Sequence, residues 1–193
     1  MRIWLDVGAH YGETTLPMMA DDLTIYAFEP NLALALKSVG RHPRFVVLPM
    51  AVSECNGCVP FYVTVNDSCS SILPLDAAGV AGWKDNSGLR VTDVRYVPSI
   101  RLDTFLNWVG IGHVEYLKID AQGADLAVIH SLGQRIADVD RIRLEVQIAR
   151  SPYMGASDKS ETVTYLERNG FRLTSATPWS LNQEENLDFE RIP

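Results

Sequence analysis

Acidic and small residues gather where apolar runs stop. Asp6 lies at the end of the run 3–7, and the loop Gly8-Ala9-His10-Tyr11-Gly12 follows it. Glu29 and Pro30 stop the run 24–28, Ala51-Val52-Ser53 follows 45–48, Asp120 ends 114–119, and Glu145 lies inside 139–148. Two glycines after a strand let backbone approach a ligand closely, and a carboxylate about twenty positions on can accept hydrogen bonds from ribose hydroxyls. Gly8 and Glu29 are 21 apart. The spacing GxxxG is not the GxGxxG that cradles a pyrophosphate, so a nucleoside without pyrophosphate suits the pattern better than a dinucleotide. Asp120 and Glu145 lie at comparable heights on successive strands, where polar residues can meet a ligand. Asp120 alone would serve equally as N-cap of a helix starting near residue 124. No third ligand is evident that would make the pair a metal site.

These residues need elements to hold them. A strand at 3–7, a glycine turn and a helical pattern at 14–20 are followed by a strand at 24–28, a helix at 32–39 and a strand at 45–48. After an interruption the rhythm resumes: helix 102–108, strand 114–119, helix 124–132, strand 139–148, helix 159–169, strand 171–177 and a closing strand 186–192. Alternation of this kind gives a mostly parallel seven-stranded sheet between helices, an α/β Rossmann-like three-layer sandwich whose last strand is antiparallel. The strand-like stretches 58–65 and 91–97 frame Ser, Gly and Asp-rich sequence, which reads as a β-hairpin or flap inserted at about 58–98. No repeat or linker divides the chain, so residues 1–193 are expected to form one domain.

Seventeen Lys and Arg against 24 Asp and Glu give a net charge of −7. That balance argues against nucleic acid, whose binding draws on displaced counterions. With 47% apolar residues, disorder and disulfide-stapled scaffolds are excluded. No apolar stretch resembles a signal or a membrane span, and three cysteines fit a reducing compartment, which places the protein in the cytoplasm. Cys55 and Cys58 form a CxxC without the further ligands zinc needs, and read as small residues around a turn at Asn56-Gly57. Lys118, two positions before Asp120, is expected to be buried and paired with Glu145, and Arg143, Glu145 and Gln147 form one polar strand face that borders the site. His42, His113 and His130 read as solvated or core residues.

Six segments in order resemble the FkbM-like family of S-adenosylmethionine-dependent methyltransferases, within the class I Rossmann-like enzymes. DVGAHYGETT (6–15) is similar to the family's DxGANxGxxT loop, FEPN (28–31) to its ribose-binding acidic motif, and AVSECNG (51–57) to the AVS segment after strand three. RLDTFL (101–106) resembles RLDxFL, KIDAQGAD (118–125) resembles KIDxEGxE, and NLDFER (186–191) the last strand. His10 stands where the family usually has Asn, and Gln122 and Asp125 replace two glutamates.

The resemblance implies an enzyme of the EC 2.1.1 class that binds S-adenosylmethionine, yields S-adenosylhomocysteine, and methylates a hydroxyl on a sugar, glycan or natural-product small molecule, with no membrane partner. Cofactor contacts are expected from Asp6, Gly8, Ala9, His10, Tyr11, Gly12, Thr14, Thr15, Glu29, Pro30, Asn31, Ala51, Val52, Ser70, Ser71 and Asp120, and catalysis from Asp120 and Glu145. A bulky side chain at Gly8 is expected to block the cofactor and leave the fold intact. Family members commonly carry helices before strand one, so a homo-oligomer is expected to cover that side. The alternatives are a binding protein with impaired catalysis and a nicotinamide-dependent oxidoreductase.

Overall fold

Interior strands of a parallel sheet are buried on both faces, and the sequence supplies them as short runs rich in Val, Ile and Leu. A computed structural model describes residues 1–193. Its main sheet takes β1 (Arg2–Val7), β2 (Leu23–Phe28), β3 (Phe45–Leu48), β7 (Val114–Ile119), β8 (Val139–Gln147), β9 (Phe171–Trp179) and β10 (Glu184–Arg191), in the order β3-β2-β1-β7-β8-β10-β9. All pairings are parallel except those of β10, which inserts antiparallel between β8 and β9. Helices α1 (Leu32–Ser38), α3 (Leu102–Val109), α4 (Asp125–His130) and α5 (Lys159–Arg168) connect the strands. Leu102, Phe105, Leu106, Leu126, Val128, Ile129 and Leu166 pack with the strand residues in one apolar core. This is the expected α/β Rossmann-like sandwich. No helix is long and apolar enough to cross a membrane.

A second sheet forms from β4 (Ala51–Val52), β5 (Gly57–Thr64) and β6 (Val91–Ile100), in the order β4-β6-β5. The expected hairpin is its β5–β6 pair; β4, from the segment that follows β3, runs parallel to β6. Between β5 and β6 lies α2 (Ala77–Gly82), which the sequence reading left as irregular. Asp76 caps it by accepting from Gly79 N at 3.1 Å. Gly79 lets the helix lie against the backbone at Ser151, where a β-carbon would meet Ser151 O at 2.0 Å.

The helix expected at 14–20 is a single 3₁₀ turn, Leu16–Met18. Two causes shorten it. Pro17 has no N–H and disfavours helical backbone at Leu16, and Thr15, which stands at the cap position, donates its hydroxyl to buried Asp6 Oδ2 at 2.5 Å instead of capping.

Strand order reverses between β1 and β7, and ligands of open α/β sheets bind beyond the carboxyl ends of the strands at that point. There the two following loops cross closely. Gly8 N donates to Phe28 O at 3.0 Å and Asp120 N to Val7 O at 3.0 Å, while Gly8 has φ +70° and a β-carbon on it would lie 1.8 Å from Asp120 O. A side chain at Gly8 therefore disturbs the sheet itself, and the expectation that the fold would tolerate one is corrected. Gly40 shares a positive φ of +75° but has open space around it. Gly40→Ala should cost about 1–2 kcal/mol of left-handed strain, and Gly8→Ala should cost that plus about 1–3 kcal/mol of overpacking. Urea unfolding of the two variants measures the difference.

Candidate functional site

A cleft opens at the switch point. Its walls are the loop after β1 (Gly8, Ala9, His10, Glu13, Thr14), the end of β2 (Phe28, Glu29, Pro30), the segment Met50–Val52, the loop after β7 (Asp120, Ala121, Gln122), and a roof from the second sheet and its connection (Phe61, Asp67, Ser68, Ser70, Ser71, Ile72). Val7 and Lys118 close the floor.

Glu29 is held without freedom to rotate. Its Oε1 accepts from Asn31 N at 2.7 Å and its Oε2 from His10 N at 2.9 Å, so both loops flanking the cleft point backbone donors at one carboxylate. Burial pushes its pKa up to about 7 against these donors. Asp6 lies beneath, fully buried between Thr15 and the Lys118 ammonium at 3.1 Å. Lys118 Nζ also donates to Gly8 O at 2.7 Å and lies 3.7 Å from Asp120 Oδ2. The expected pair with Glu145 does not form. Parallel register sets Asp6 directly opposite Lys118, whereas the residue beside Lys118 on β8 is Arg143. Burial alone would push the ammonium down; the charges of Asp6 and Asp120 more than reverse this, so it stays protonated.

Asp120 projects into the cleft with 39% of its side chain exposed. Gln122 Nε2 donates to its Oδ1 at 2.7 Å, and Oδ2 carries no hydrogen bond. Glu145 is buried off the cleft wall, beside Glu184. Burial, with the charges of Asp120 and Glu184, raises its pKa so that it holds a proton at neutral pH. Of the polar face expected on β8, Glu145 and Gln147 are buried behind the wall and Arg143 turns to Asp188 at 3.7 Å. Asp125 is buried as well; burial and then Asp120 raise it to about 7, and its oxygens accept from Ala121 N at 3.4 Å and Gly123 N at 3.2 Å.

The cleft brings together Gly8, Ala9, His10, Thr14, Glu29, Pro30, Ala51, Val52, Ser70, Ser71 and Asp120 from the sequence expectation. Asp6, Tyr11, Gly12, Thr15 and Asn31 stand behind them. Asn31 caps α1 and its backbone N–H donates to Glu29, exposed Tyr11 packs tilted at 46° against the His10 ring with centroids 4.6 Å apart, and Gly12 lies against the Phe45 ring. His10 joins floor to roof, its ring nitrogens facing Glu13 Oε1 at 2.8 Å and Asp67 Oδ1 at 3.2 Å. Outside the sequence expectation are Val7, Glu13, Phe28, Met50, Phe61, Asp67, Ser68, Ile72, Lys118, Ala121 and Gln122. For Phe61 a signal existed, since Val59, Phe61 and Val63 alternate on one strand face and two of them pack with Ala51. Cys55 and Cys58 are free and exposed.

The model of the family described as the methyltransferase FkbM domain matches residues 6–173. No curated protein matches the chain by sequence. Among solved structures, the magnesium protoporphyrin IX methyltransferase of Synechocystis PCC 6803 with bound SAM is similar at 11% identity and a TM-score of 0.51, over 98% of this chain and 69% of that one. The same enzyme with bound SAH gives 10% identity and a TM-score of 0.50, over 98% and 73%. A SAM-dependent methyltransferase from Aquifex aeolicus gives 12% identity and a TM-score of 0.48, over 99% and 82%. At these identities the likeness to the Synechocystis enzyme is one of fold.

A folded-state pKa of about 7 for Glu29 lies above the unfolded value of 4.5. The folded protein therefore binds the extra proton between those values, and the contribution to stability is full below pH 4.5 and lost as pH rises through 7. Relative to Glu29→Gln, the wild type should lose up to about 3 kcal/mol between pH 4.5 and 7. Urea unfolding of both proteins across that range tests it; parallel profiles would contradict the assignment.

Proposed function

The chain belongs to the FkbM methyltransferase family, and from that premise we propose that it moves a methyl group from S-adenosylmethionine to a hydroxyl oxygen of a sugar or natural-product small molecule. When bound, S-adenosylmethionine would supply a sulfonium methyl, an electrophile that an acceptor oxygen can attack in line, with S-adenosylhomocysteine as the leaving group. The residues present suit the group. Phe28, Met50, Val52, Phe61 and Ile72 offer an apolar wall to a purine. The tethered Glu29 keeps lone pairs on both oxygens for vicinal ribose hydroxyls, and the loop Gly8–Gly12, whose Gly8, Ala9 and His10 line the cleft, wraps the space we assign to the methionine portion.

The chain's own contribution to transfer is orientation and a place for one proton. Well-oriented reactants can gain about 7–11 kcal/mol, and a placed base about 10²–10⁴-fold. Four carboxylates line the cleft. Glu13 and Asp67 are engaged by His10, and Glu29 by two backbone donors. Asp120 follows β7 at the switch point and keeps Oδ2 free of hydrogen bonds, with only the Lys118 ammonium beside it at 3.7 Å, and this single observation carries the reading: it is the atom we assign to the acceptor's proton, whereas Asp67, whose Oδ2 is also unbonded, belongs to the roof. Glu145 is buried and does not line the cleft, so we assign it no contact with the acceptor. Residues 1–193 then work as one methyltransferase domain, with about 58–98 as the insertion that roofs the acceptor. The unpaired Cys55 and Cys58 support a cytoplasmic setting.

Glu29→Ala should weaken S-adenosylmethionine binding by about 1.5–3 kcal/mol, roughly 10- to 150-fold, the range for hydrogen bonds to a charged group. Calorimetric titration equal to wild type would defeat the ribose assignment. Asp120→Asn should lower kcat by about 10²–10⁴-fold and leave cofactor affinity within a few fold. The assay is release of S-adenosylhomocysteine with a panel of monosaccharides and phenols. Wild-type turnover by Asp120→Asn, or cofactor binding with no turnover across the panel, would overturn the reading.

A further inference from the structure

Gln122 has a backbone φ of +50°, a left-handed conformation that is strained for any residue with a β-carbon. Tertiary contacts impose it. Its carbonyl accepts from Ser71 Oγ at 2.8 Å, and the next residue, Gly123, lies under Tyr153, where a β-carbon would come within 3.0 Å of Tyr153 Cβ. Asp125 fixes the loop from below through Ala121 N and Gly123 N. The side chain is as constrained as the backbone. The Tyr153 hydroxyl donates to Gln122 Oε1 at 2.7 Å, with Cys69 O at 3.0 Å as its other acceptor, and Gln122 Nε2 donates to Asp120 Oδ1 at 2.7 Å.

An amide has one acceptor end and one donor end. A hydroxyl proton delivered to Oε1 turns the NH₂ end toward Asp120; the reverse orientation would set Oε1 against the Asp120 carboxylate. Tyr153 is 4% exposed and does not line the cleft, so it touches no ligand there. We infer that Tyr153, acting through Gln122, is a positioning residue for Asp120: it holds Oδ1 in a hydrogen bond so that Oδ2 stays turned toward the acceptor. The inference rests on the proposed role of Asp120. It explains why a strained residue stands beside that carboxylate, since cleft residues in sparsely populated conformations persist only where their surroundings over-determine them.

Two variants separate positioning from packing. Tyr153→Phe keeps the ring and loses the proton. Gln122→Gly loses the amide but relieves the strain, so its unfolding midpoint should stay level or rise while its turnover falls, a pairing that a purely structural role would not produce. With S-adenosylmethionine and the same panel of monosaccharides and phenols, each should lower kcat about tenfold, within the range for a misplaced catalytic group. The calorimetric Kd for S-adenosylmethionine should be unchanged, and Tyr153→Phe should add no further loss on an Asp120→Asn background. Wild-type kcat in Tyr153→Phe, beside an impaired Asp120→Asn, would overturn the inference alone. Wild-type turnover in Asp120→Asn, or no turnover at all, would overturn the reading beneath it. In that event NMR of the protein bound to S-adenosylhomocysteine decides the positioning: Gln122 side-chain amide protons should exchange slowly in wild type and rapidly in Tyr153→Phe, and equal exchange would refute it.

Discussion

An ammonium group stays in the middle of a parallel sheet only where oxygens converge on it. Lys118, with 9% of its side chain exposed, has Gly8 O at 2.7 Å, Asp6 Oδ1 at 3.1 Å and Asp120 Oδ2 at 3.7 Å. One is the last buried acid of β1, one the first turn residue after β1, and one the residue that ends β7. The cation therefore fixes the register of β1 against β7 and the conformation of both loops that leave them. Turning the Gly8 carbonyl inward toward Lys118 goes with the left-handed backbone at that residue and brings it against Asp120 O, which excludes every side chain but hydrogen. Removing one partner of a buried ion pair typically costs 3–5 kcal/mol because the others are left uncompensated. Here the loss would fall on the two loops that form the cleft.

The cleft is rich in carboxylates, and their surroundings sort them. Asp6 and Asp120 share the one buried cation. Glu29 and Asp125 have backbone donors but no cation within bonding distance, and burial raises both to about 7. Glu145, packed against Glu184 and near Asp120, keeps its proton. Burial thus keeps Asp125 and Glu145 behind the wall, whereas Glu29 and Asp120 face the cleft. It also separates two residues that sequence ranks side by side: Asp120 follows β7 and Glu145 lies near the carboxyl end of adjacent β8, yet one reaches the cleft and the other is sealed behind its wall.

Most of the main sheet was legible because its strands are apolar runs bounded by glycine, proline or acid. The strand 114–119 was placed to the residue, and β8 and α5 to within one. What failed had local causes that depend on distant partners. The expected helix at 14–20 shrank because Thr15 serves Asp6 and Pro17 interrupts the turn. α2 went unseen because Gly79 and Gly82 look like loop residues, and only contact with Ser151 explains a glycine there. Likewise Lys118 was correctly read as buried and paired, but its partner follows from parallel register with β1, which no single segment carries. The cleft's backbone loops and Glu29 were visible in the glycine and acid spacing. The roof residues Asp67, Ser68 and Ile72, together with Gln122, were harder, because they meet the floor only through folding of the inserted segment.

That dependence is visible in the backbone. Outside the β9–β10 turn, His10 and Gln122 are the non-glycine residues with positive φ, and both line the cleft. Neither loop can hold such a residue from its own sequence. His10 is held by Glu29, Glu13 and Asp67, and Gln122 by Ser71 and Tyr153. In each case at least one anchor comes from residues 67–71, between β5 and β6. The roof thus does more than cover the cleft: its hydrogen bonds offset the strain that gives the floor its shape. A Rossmann-like sheet with its glycine loop, lacking this segment, would relax at His10 and Gln122, and the donors now aimed at Glu29 and Asp120 would lose their direction.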